Sequence, residues 1–449
     1  MRAAAFPARY RIHKYWGKKP GNVVAAYIAR FAEPGATVLD PFAGSGVVLA
    51  EALISGRSGI AVDLNPIAGL VTRVTVEGAH PAKVRAEGRR LLAALGPLRE
   101  ALFGERCARC GEGGEIIATA FAGSAPVRVD LDCPACGVVV APARGRANTR
   151  TKNLPEAGVF PDGDIYPGWQ MRKLTRAGVR RWSELFTPRN LCAVAHLRRA
   201  IDGVEDPVVR RALLISFTAH LAQATRMIAF AGERGGGPSW KLNCYWLPRA
   251  SRELNPFRYF ENRVEKTALG LEDMAAELGC APRDYQIWTM SAERLAERVS
   301  RGSVGYIFTD PPYGGEGIQY GELSMLWNLW SGEPICLERE VAYNPRQRKD
   351  EAAYAARLCE CMAAAFEALA PGCWASITFA NKDRRVWEAL KGACAKAGFL
   401  LQSEVVVKPS APNITNIVAR GAPKADSILN LIKPTPRPRH APSPPRRPP

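Results

Sequence analysis

Short apolar runs alternate with amphipathic stretches in two separated parts of the chain, and this pattern predicts parallel strands connected by helices. Strands of a parallel sheet are covered on both faces, so they read as continuous apolar runs. The predicted strands cover residues 37–39, 58–63, 285–288, 304–308 and 374–379, and the predicted helices cover 22–31, 47–55, 352–370 and 385–397. The pattern therefore predicts an α/β domain built from both parts.

A different pattern fills the middle of the chain, over residues 79–281. Its second half is helical, as in residues 210–229, where Leu213, Phe217 and Leu221 recur at helical spacing. We therefore divide the chain into an α/β domain, an insert and a tail. The domain covers residues 1–78 and 282–425, the insert covers 79–281, and a basic, Pro/Arg-rich tail predicted to be disordered covers 426–449. Residues 400–407 and 414–419 are predicted to form a closing hairpin.

A glycine-rich turn follows the first predicted strand. Asp40, Phe42, Gly44 and Gly46 lie between this strand and an apolar helix, where glycines allow close approach of a ligand to free N–H groups. Asp63 ends the next strand, at the position where an acid accepts the hydroxyls of a ribose. Leu49 occupies the third glycine position of the dinucleotide fingerprint, which favours a single nucleoside without a pyrophosphate, as in S-adenosylmethionine.

A second motif, Thr309 to Tyr313, follows the strand at 304–308. Pro311 and Pro312 end that strand, because proline cannot continue a central ladder. The Asp310 carboxylate and the Pro311 carbonyl can each accept one N–H from an exocyclic amine, and Tyr313 can stack on a base. The alternative is a rigid turn after a core strand, without any catalytic role.

Four of the 12 cysteines form two CxxC pairs. Cys107, Cys110, Cys133 and Cys136 have the spacing of a tetrahedral zinc site, in a ribbon at about residues 105–140. Four thiolates leave no open position on the ion, so a structural role is predicted. Redox-active dithiols are the alternative, but no thioredoxin-like unit surrounds them.

The overall charge narrows the class of partner. The 449 residues carry a formal net charge of +18, which favours a polyanionic partner such as nucleic acid. No segment resembles a membrane span or a signal peptide, and the scattered cysteines suit a reducing cytoplasm. The sequence therefore predicts a cytoplasmic protein without a membrane partner, and it does not indicate an oligomeric state.

Aromatic and basic residues follow a glycine-rich loop at 232–238. Two interpretations of this stretch remain open, either contacts with unpaired bases and phosphates or a small aromatic core. The residues concerned are Trp240, Lys241, Tyr245, Trp246 and Arg249.

The motif DPFAGSG at 40–46, followed by TDPPY at 309–313, resembles the DNA amino-methyltransferases, the N6-adenine and N4-cytosine group. HKYWGKKP at 13–20 is similar to that family's N-terminal cofactor motif. The resemblance implies a Rossmann-like, S-adenosylmethionine-dependent methyltransferase fold with seven strands. It also implies duplex DNA as the substrate, with adenine favoured because the DPPY part of the second motif begins with Asp310 rather than with Ser. The implied cofactor-binding residues are Tyr15, Lys18, Asp40, Phe42, Gly44, Gly46, Asp63, Asn65 and Ser291, and the implied catalytic residues are Asp310, Pro311, Pro312 and Tyr313.

Two other functions share these motifs. The second motif is also similar to that of guanosine-N2 methyltransferases acting on tRNA or ribosomal RNA, although few residues precede the first motif, where an RNA-binding domain is expected. A non-catalytic zinc-ribbon protein that binds nucleic acid through a degenerate methyltransferase fold is the third hypothesis. The intact set of glycines and acids argues against it.

Overall fold

The structure is a computed structural model that describes residues 3–143, 160–230, 244–279, 284–313, 319–381, 383–407 and 426–435. The strands are β1 Thr37–Asp40, β2 Ser58–Asp63, β3 Gly104–Arg106, β4 Gly113–Ala122, β5 Ala125–Cys133, β6 Gly137–Pro142, β7 Ala250–Leu254, β8 Tyr285–Thr289, β9 Val304–Thr309, β10 Leu369–Phe379, β11 Leu400–Val407 and β12 Asp426–Ile432. The helices are α1 Gly21–Phe31, α2 Val47–Ile54, α3 Pro66–Glu77, α4 Pro81–Ala94, α5 Gly96–Phe103, α6 Arg172–Arg176, α7 Pro188–Asp202, α8 Pro207–Ala224, α9 Pro256–Leu278, α10 Tyr320–Ser331, α11 Glu351–Ala368 and α12 Arg384–Ala397.

The larger sheet has seven strands in the order β11-β12-β10-β9-β1-β2-β8. All neighbouring pairs are parallel except those of β12, which runs antiparallel to β10 and β11. This is a mixed α/β sheet of seven strands, which confirms the predicted fold class.

Helices cover both faces of this sheet because successive strand residues point to opposite sides. Val38 and Tyr306 pack with α1 and α2 on one face, in a core that includes Ile28. Leu39 and Ile307 pack on the other face with α11 and α12. The continuous apolar runs of β1 and β9 therefore arise because both faces of each strand are buried.

The insert lies between β2 and β8 along the chain, although these strands are neighbours in the sheet. It contains a small antiparallel sheet in which β4 pairs with β3, β5 and β7, and β5 pairs with β6. The helix predicted at 210–229 is α8, whose apolar residues pack with α9 in a large core. This core also takes in Ile67 of α3 and Trp327 of α10, which follow β2 and β9 of the larger sheet.

The end of the larger sheet differs from the prediction. Residues 400–407 form β11 as expected, but the partner strand expected at 414–419 lies outside the described residues. The prediction of disorder from residue 426 is wrong for 426–432, which form β12 with Leu429 and Leu431 buried. Asn430 interrupts the apolar run of β12, and its side chain accepts a hydrogen bond from Ser376 at 2.8 Å and donates one to Ser403 at 3.0 Å.

Within the described ranges, no helix combines the length and the apolar character that crossing a membrane requires.

Candidate active site

A cleft opens at the carboxyl edge of the larger sheet, where β1, β2 and β9 end. Ligands of open α/β sheets bind at this edge. The cleft holds about 930 Å³ of atom-free space, part of it open solvent. Ten of the residues predicted for the site lie in its lining: Tyr15, Lys18, Asp40, Phe42, Gly44, Asp63, Asn65, Ser291, Asp310 and Pro312.

The glycine-rich turn is held in place by Asp63. The Gly44 N–H donates to one Asp63 oxygen at 2.7 Å, and the Asn65 N–H donates to the other at 2.8 Å. Gly44 and Gly46 have positive φ angles of 52° and 76°, which other residues rarely adopt. A Cβ on Gly46 would lie 2.6 Å from Thr72, so the predicted role of this glycine includes packing against α3.

Two other predicted residues are held by neighbours. The Asn65 amide donates to the Ser324 hydroxyl and accepts from Asn328, each at 2.8 Å, so α10 fixes its position. The Ser291 hydroxyl donates to the carboxylate of Glu293. Their side chains reach the cleft from a polar network that already satisfies part of their hydrogen-bonding capacity.

The two sequence motifs contact each other through Asp40. One carboxylate oxygen accepts from the Phe42 N–H at 3.1 Å and from the Thr309 hydroxyl at 2.7 Å. Asp40 is buried, and burial raises the pKa of its carboxyl to about 7 although both hydrogen bonds lower it. The carboxyl ends of β1 and β9 are therefore joined at the floor of the cleft.

The two carboxylate oxygens of Asp310 differ in their hydrogen-bond partners. Its Oδ2 lies 3.1 Å from Lys19 Nζ and accepts from the Tyr313 hydroxyl at 3.2 Å. Its Oδ1 is buried and has no hydrogen-bond partner among the described residues. Burial raises the pKa of Asp310 to about 7, and the Lys19 ammonium acts in the opposite direction. Oδ1 is thus a buried acceptor whose hydrogen-bonding capacity no described residue uses, on a residue that lines the cleft.

Tyr313 and the prolines support Asp310. The Tyr313 hydroxyl also accepts from Lys19, and its ring packs edge-on against Phe379, with centroids 5.3 Å apart. The Pro312 carbonyl accepts from the Tyr354 hydroxyl at 2.8 Å. Pro311 is buried, and neither it nor Tyr313 lies in the cleft lining. Stacking of Tyr313 on a base therefore stays a prediction.

Lys19 is a site residue that the sequence did not single out. Its side chain is 10% exposed, and its ammonium contacts Asp310, Tyr313 and, at 3.2 Å, Asp426 of β12. The predicted Lys18 lines the cleft, but its ammonium donates to the carbonyls of Tyr10 and His13. Of the two neighbouring lysines, it is therefore Lys19 whose ammonium contacts the Asp310 carboxylate.

Glu340 is a second residue that the sequence missed. It lines the cleft, its Oε1 accepts from the Gly321 N–H at 2.7 Å, and its buried Oε2 has no partner among the described residues. Burial raises its pKa to about 7. Tyr15 and Tyr320, also in the lining, are nearly parallel, with ring centroids 6.3 Å apart.

The four predicted cysteine ligands come together in the insert. Their sulfur atoms all lie within 4.8 Å of one another, and those of Cys110 and Cys133 are 3.5 Å apart. One pair lies between β3 and β4, and the other joins β5 to β6. The cluster could hold one metal ion.

The aromatic stretch after the glycine-rich loop is partly core. Tyr245 is buried, and its hydroxyl donates to the Leu323 carbonyl at 2.6 Å. Trp240 and Lys241 lie outside the described residues. For Tyr245, the interpretation as a core residue is confirmed.

No protein-family model and no curated protein matches the chain. Among solved structures it is similar to TrmN from Thermus thermophilus, at 10% identity and a TM-score of 0.31, covering 93% of this chain and 50% of that one. It is also similar to the rRNA methyltransferase aviRa from Streptomyces viridochromogenes, at 11% identity and a TM-score of 0.31, and the match covers 96% of this chain and 90% of that one. A third likeness is to a candidate DNA modification methylase, also from Thermus thermophilus, at 16% identity and a TM-score of 0.20. That match covers 33% of this chain and 53% of the other.

This chain thus spans about half the length of TrmN. TM-scores this low carry no argument about activity or substrate, so those rest on the site itself.

Proposed function

We propose that the chain is an S-adenosylmethionine-dependent methyltransferase that modifies an exocyclic amino group of a base in duplex DNA, with N6 of adenine favoured over N4 of cytosine. The observation that carries the proposal is that Asp310 lines the same cleft as the glycine-rich turn and Asp63, and that its buried Oδ1 has no hydrogen-bond partner among the described residues.

The charged and aromatic side chains that line the cleft fit the cofactor. Four carboxylates line it, those of Asp40, Asp63, Asp310 and Glu340. Lys19 is paired with Asp310, one of these four, and with Asp426, and Lys18 donates to backbone carbonyls. With Arg339, also in the lining, these cations balance the four carboxylates only in part. An acidic cleft with tyrosine walls suits a ligand that carries a sulfonium, an ammonium and an adenine ring.

In this proposal Asp63 and Glu340 accept hydrogen bonds from the cofactor's hydroxyl or ammonium groups, and Gly44 allows its close approach. Asp63 can do so because each oxygen accepts only one described N–H and keeps a second lone pair. When bound, S-adenosylmethionine supplies an electrophilic methyl group, and the accepting amine loses one proton.

Asp310 then acts on the amine. Its Oδ1 accepts one N–H hydrogen bond, which draws the nitrogen toward tetrahedral geometry and directs its lone pair. Because its pKa is about 7, the same carboxylate can take the proton that the methylated nitrogen releases. Lys19 holds Oδ2 so that Oδ1 remains directed at the amine.

Duplex DNA is proposed because the chain carries a net charge of +18, which suits a polyanion. The cleft is too small for a duplex, so the base must rotate out of the helix to reach Asp310. Adenine is favoured on the family resemblance alone. The insert is proposed to contribute to target recognition, and its cysteine cluster to hold one structural zinc ion.

The test is incubation with labelled S-adenosylmethionine and separate samples of duplex DNA, tRNA and ribosomal RNA, followed by mass spectrometry of the nucleosides. N6-methyladenine in DNA is the expected product. N4-methylcytosine would correct only the base, whereas N2-methylguanosine in RNA without label in DNA would overturn the proposal. Absence of label from every nucleic acid, despite cofactor binding, would also overturn it.

A further inference from the structure

Two arginines from distant parts of the chain meet at one indole ring. Arg172 Cζ lies 5.0 Å from the centre of the Trp169 ring, and Arg346 Cζ lies 5.8 Å from it. The Arg172 guanidinium also donates to the Trp169 carbonyl at 2.9 Å. Cation–π contacts of this kind restrict the orientation of both guanidinium groups. We call these three residues the Trp169 cluster.

A single buried carboxylate holds the backbone on both sides of this cluster. Glu322 in α10 accepts from the Gln170 N–H at 2.7 Å and from the side chain of Asn344, also at 2.7 Å. Its neighbour Gly168 approaches so closely that a Cβ there would lie 2.4 Å from the Glu322 carboxylate carbon. The insert and the turn that carries Arg346 are therefore fixed relative to each other by charge-assisted hydrogen bonds.

The Trp169 cluster lies beside the cleft. Gly321, the residue before Glu322, lines the cleft and donates its N–H to Glu340. Gln319, one residue before the cleft-lining Tyr320, accepts at 3.2 Å from the same Asn344 side chain that contacts Glu322. The cluster therefore shares its supporting residues with the wall of the cleft.

The two guanidinium groups of the cluster have no ion-pair partner among the described residues, since the nearby Glu322 carboxylate bonds to Gln170 and Asn344 instead. Within the ranges that the structure describes, neither Arg172 nor Arg346 forms an ion pair within 4.0 Å. Arg181, by contrast, pairs with Asp162 at 2.8 Å. Arg346 is exposed, and further exposed cations adjoin the cluster in sequence: Lys173, Arg176 and Arg348. Unpaired guanidinium groups fixed in position are suited to bind phosphate, whose oxygens match their planar fork.

We infer that Arg172 and Arg346, held by Trp169, bind two backbone phosphates of the DNA strand that flanks the base in the cleft. This inference rests on the proposed function for the kind of partner. Trp169 is a positioning residue in it, because it keeps the two guanidinium groups in place before DNA binds and so reduces the ordering cost of binding.

The experiment measures affinity for a labelled duplex by fluorescence anisotropy at several salt concentrations. In the double variant Arg172→Gln/Arg346→Gln, the slope of log affinity against log salt should fall by about 1.8, since each phosphate contact contributes roughly 0.9. Trp169→Leu removes both cation–π contacts and should weaken binding about fivefold, the loss expected for two such contacts at an exposed site, while the slope changes little. The matched control is Arg30→Gln, because Arg30 is exposed and lies over Phe31 at 5.4 Å in α1.

A slope in the double variant equal to that of Arg30→Gln would overturn the inference. Thermal unfolding of each variant establishes that it is folded. If Trp169→Leu does not fold, the salt slope of the double variant alone tests the inference. Methyl transfer is measured separately, so the two proposals can fail independently. Methylated DNA with an unchanged slope overturns only the phosphate site, and a reduced slope without methyl transfer to any nucleic acid overturns only the activity.

Discussion

Asp310 is held through one carboxylate oxygen, and the other has no hydrogen-bond partner among the described residues. In the proposed reaction this second oxygen accepts from the amine. Replacing it with alanine removes a hydrogen bond that acts mainly in the transition state. We expect Asp310→Ala to slow methyl transfer by about a hundredfold or more, in line with the loss of one such interaction. Calorimetry should find that S-adenosylmethionine still binds, with a much smaller loss of affinity than of rate, because Asp40, Asp63 and Glu340 remain in the cleft. Asp164→Ala, at a side chain that is 90% exposed, is the control. Near-normal turnover of Asp310→Ala would remove it from the reaction.

Lys19 determines the pH at which Asp310 is ionised. Its ammonium lowers the pKa of Asp310, which burial has raised to about 7, so removing the ammonium raises that pKa further. The rate depends on the ionised carboxylate and is lost as the pH falls through its pKa. Lys19→Met should therefore move the acid limb of the pH–rate profile to higher pH, and part of the activity should return near pH 9.

Lys19→Arg retains the charge and should keep the limb close to its wild-type position. If the acid limb of the pH–rate profile lies at the same pH in Lys19→Met as in the wild type, Lys19 does not act through the ionisation of Asp310.

The local motifs predicted many of the residues that line the cleft, but the sequence did not single out Lys19, which lies inside the N-terminal motif, or Glu340, which arrives from elsewhere. Asp40, Gly44, Asp63 and Asp310 follow strands, so their position at the sheet edge follows from the strand pattern. Glu340 lies in a segment without regular periodicity, and only the folded chain brings it to Gly321. Motif spacing cannot reveal a contact of this kind.

Among the elements, we expect the folding stability of the small sheet, β3 to β6, to depend most on its four clustered cysteines. The four sulfurs lie close enough to share one ion, and metal binding contributes folding energy to a module this small. Elemental analysis should find one zinc per chain. Cys133→Ser should lose the zinc and the hydrogen-exchange protection of β4 and β5. Cys336→Ser changes an exposed cysteine outside the cluster and should retain both. Purified protein without zinc would contradict the proposal.

Strand prediction succeeded for short apolar runs and failed for β12, whose apolar run is interrupted by a polar residue. β1, β2, β8 and β9 are recognisable as short apolar runs. β12 contains Asn430, which in sequence reads as a strand breaker. In the structure Asn430 is 3% exposed and bonded to serines on both neighbouring strands. A partner so distant in sequence cannot be inferred from local pattern.

At the scale of the whole molecule, a strongly basic chain encloses an acidic cleft. The carboxyls that line the cleft have raised pKa values, about 7 for Asp40, about 6 for Asp63, and about 7 for Asp310 and Glu340, because burial disfavours their charged forms. They ionise as the pH rises through this range and then attract a cation more strongly. Lys19 and Arg339, also in the lining, oppose this effect only in part.

S-adenosylmethionine should consequently bind more tightly at pH 8 than at pH 6. S-adenosylhomocysteine lacks the sulfonium charge, so its affinity should change less over the same interval. Calorimetry with both ligands at both pH values measures the difference. Equal pH dependence of the two affinities would show that the carboxylates do not respond to the sulfonium.

The connection of β1 to β9 has a consequence for biosynthesis. These strands pair directly, and the Thr309 hydroxyl at the end of β9 donates to Asp40 at the end of β1. The two residues are nevertheless 269 positions apart in the sequence. Long-range parallel pairing forms late, because the chain must close a large loop before the contact is gained. While the ribosome is still translating the insert, β1 lacks its sheet neighbour β9 and β2 lacks its sheet neighbour β8. Stalled nascent chains ending before residue 304 should therefore be cleaved by protease within 37–63, and protection there would contradict this order. Until β9 emerges, the exposed apolar strands are a natural target for chaperones.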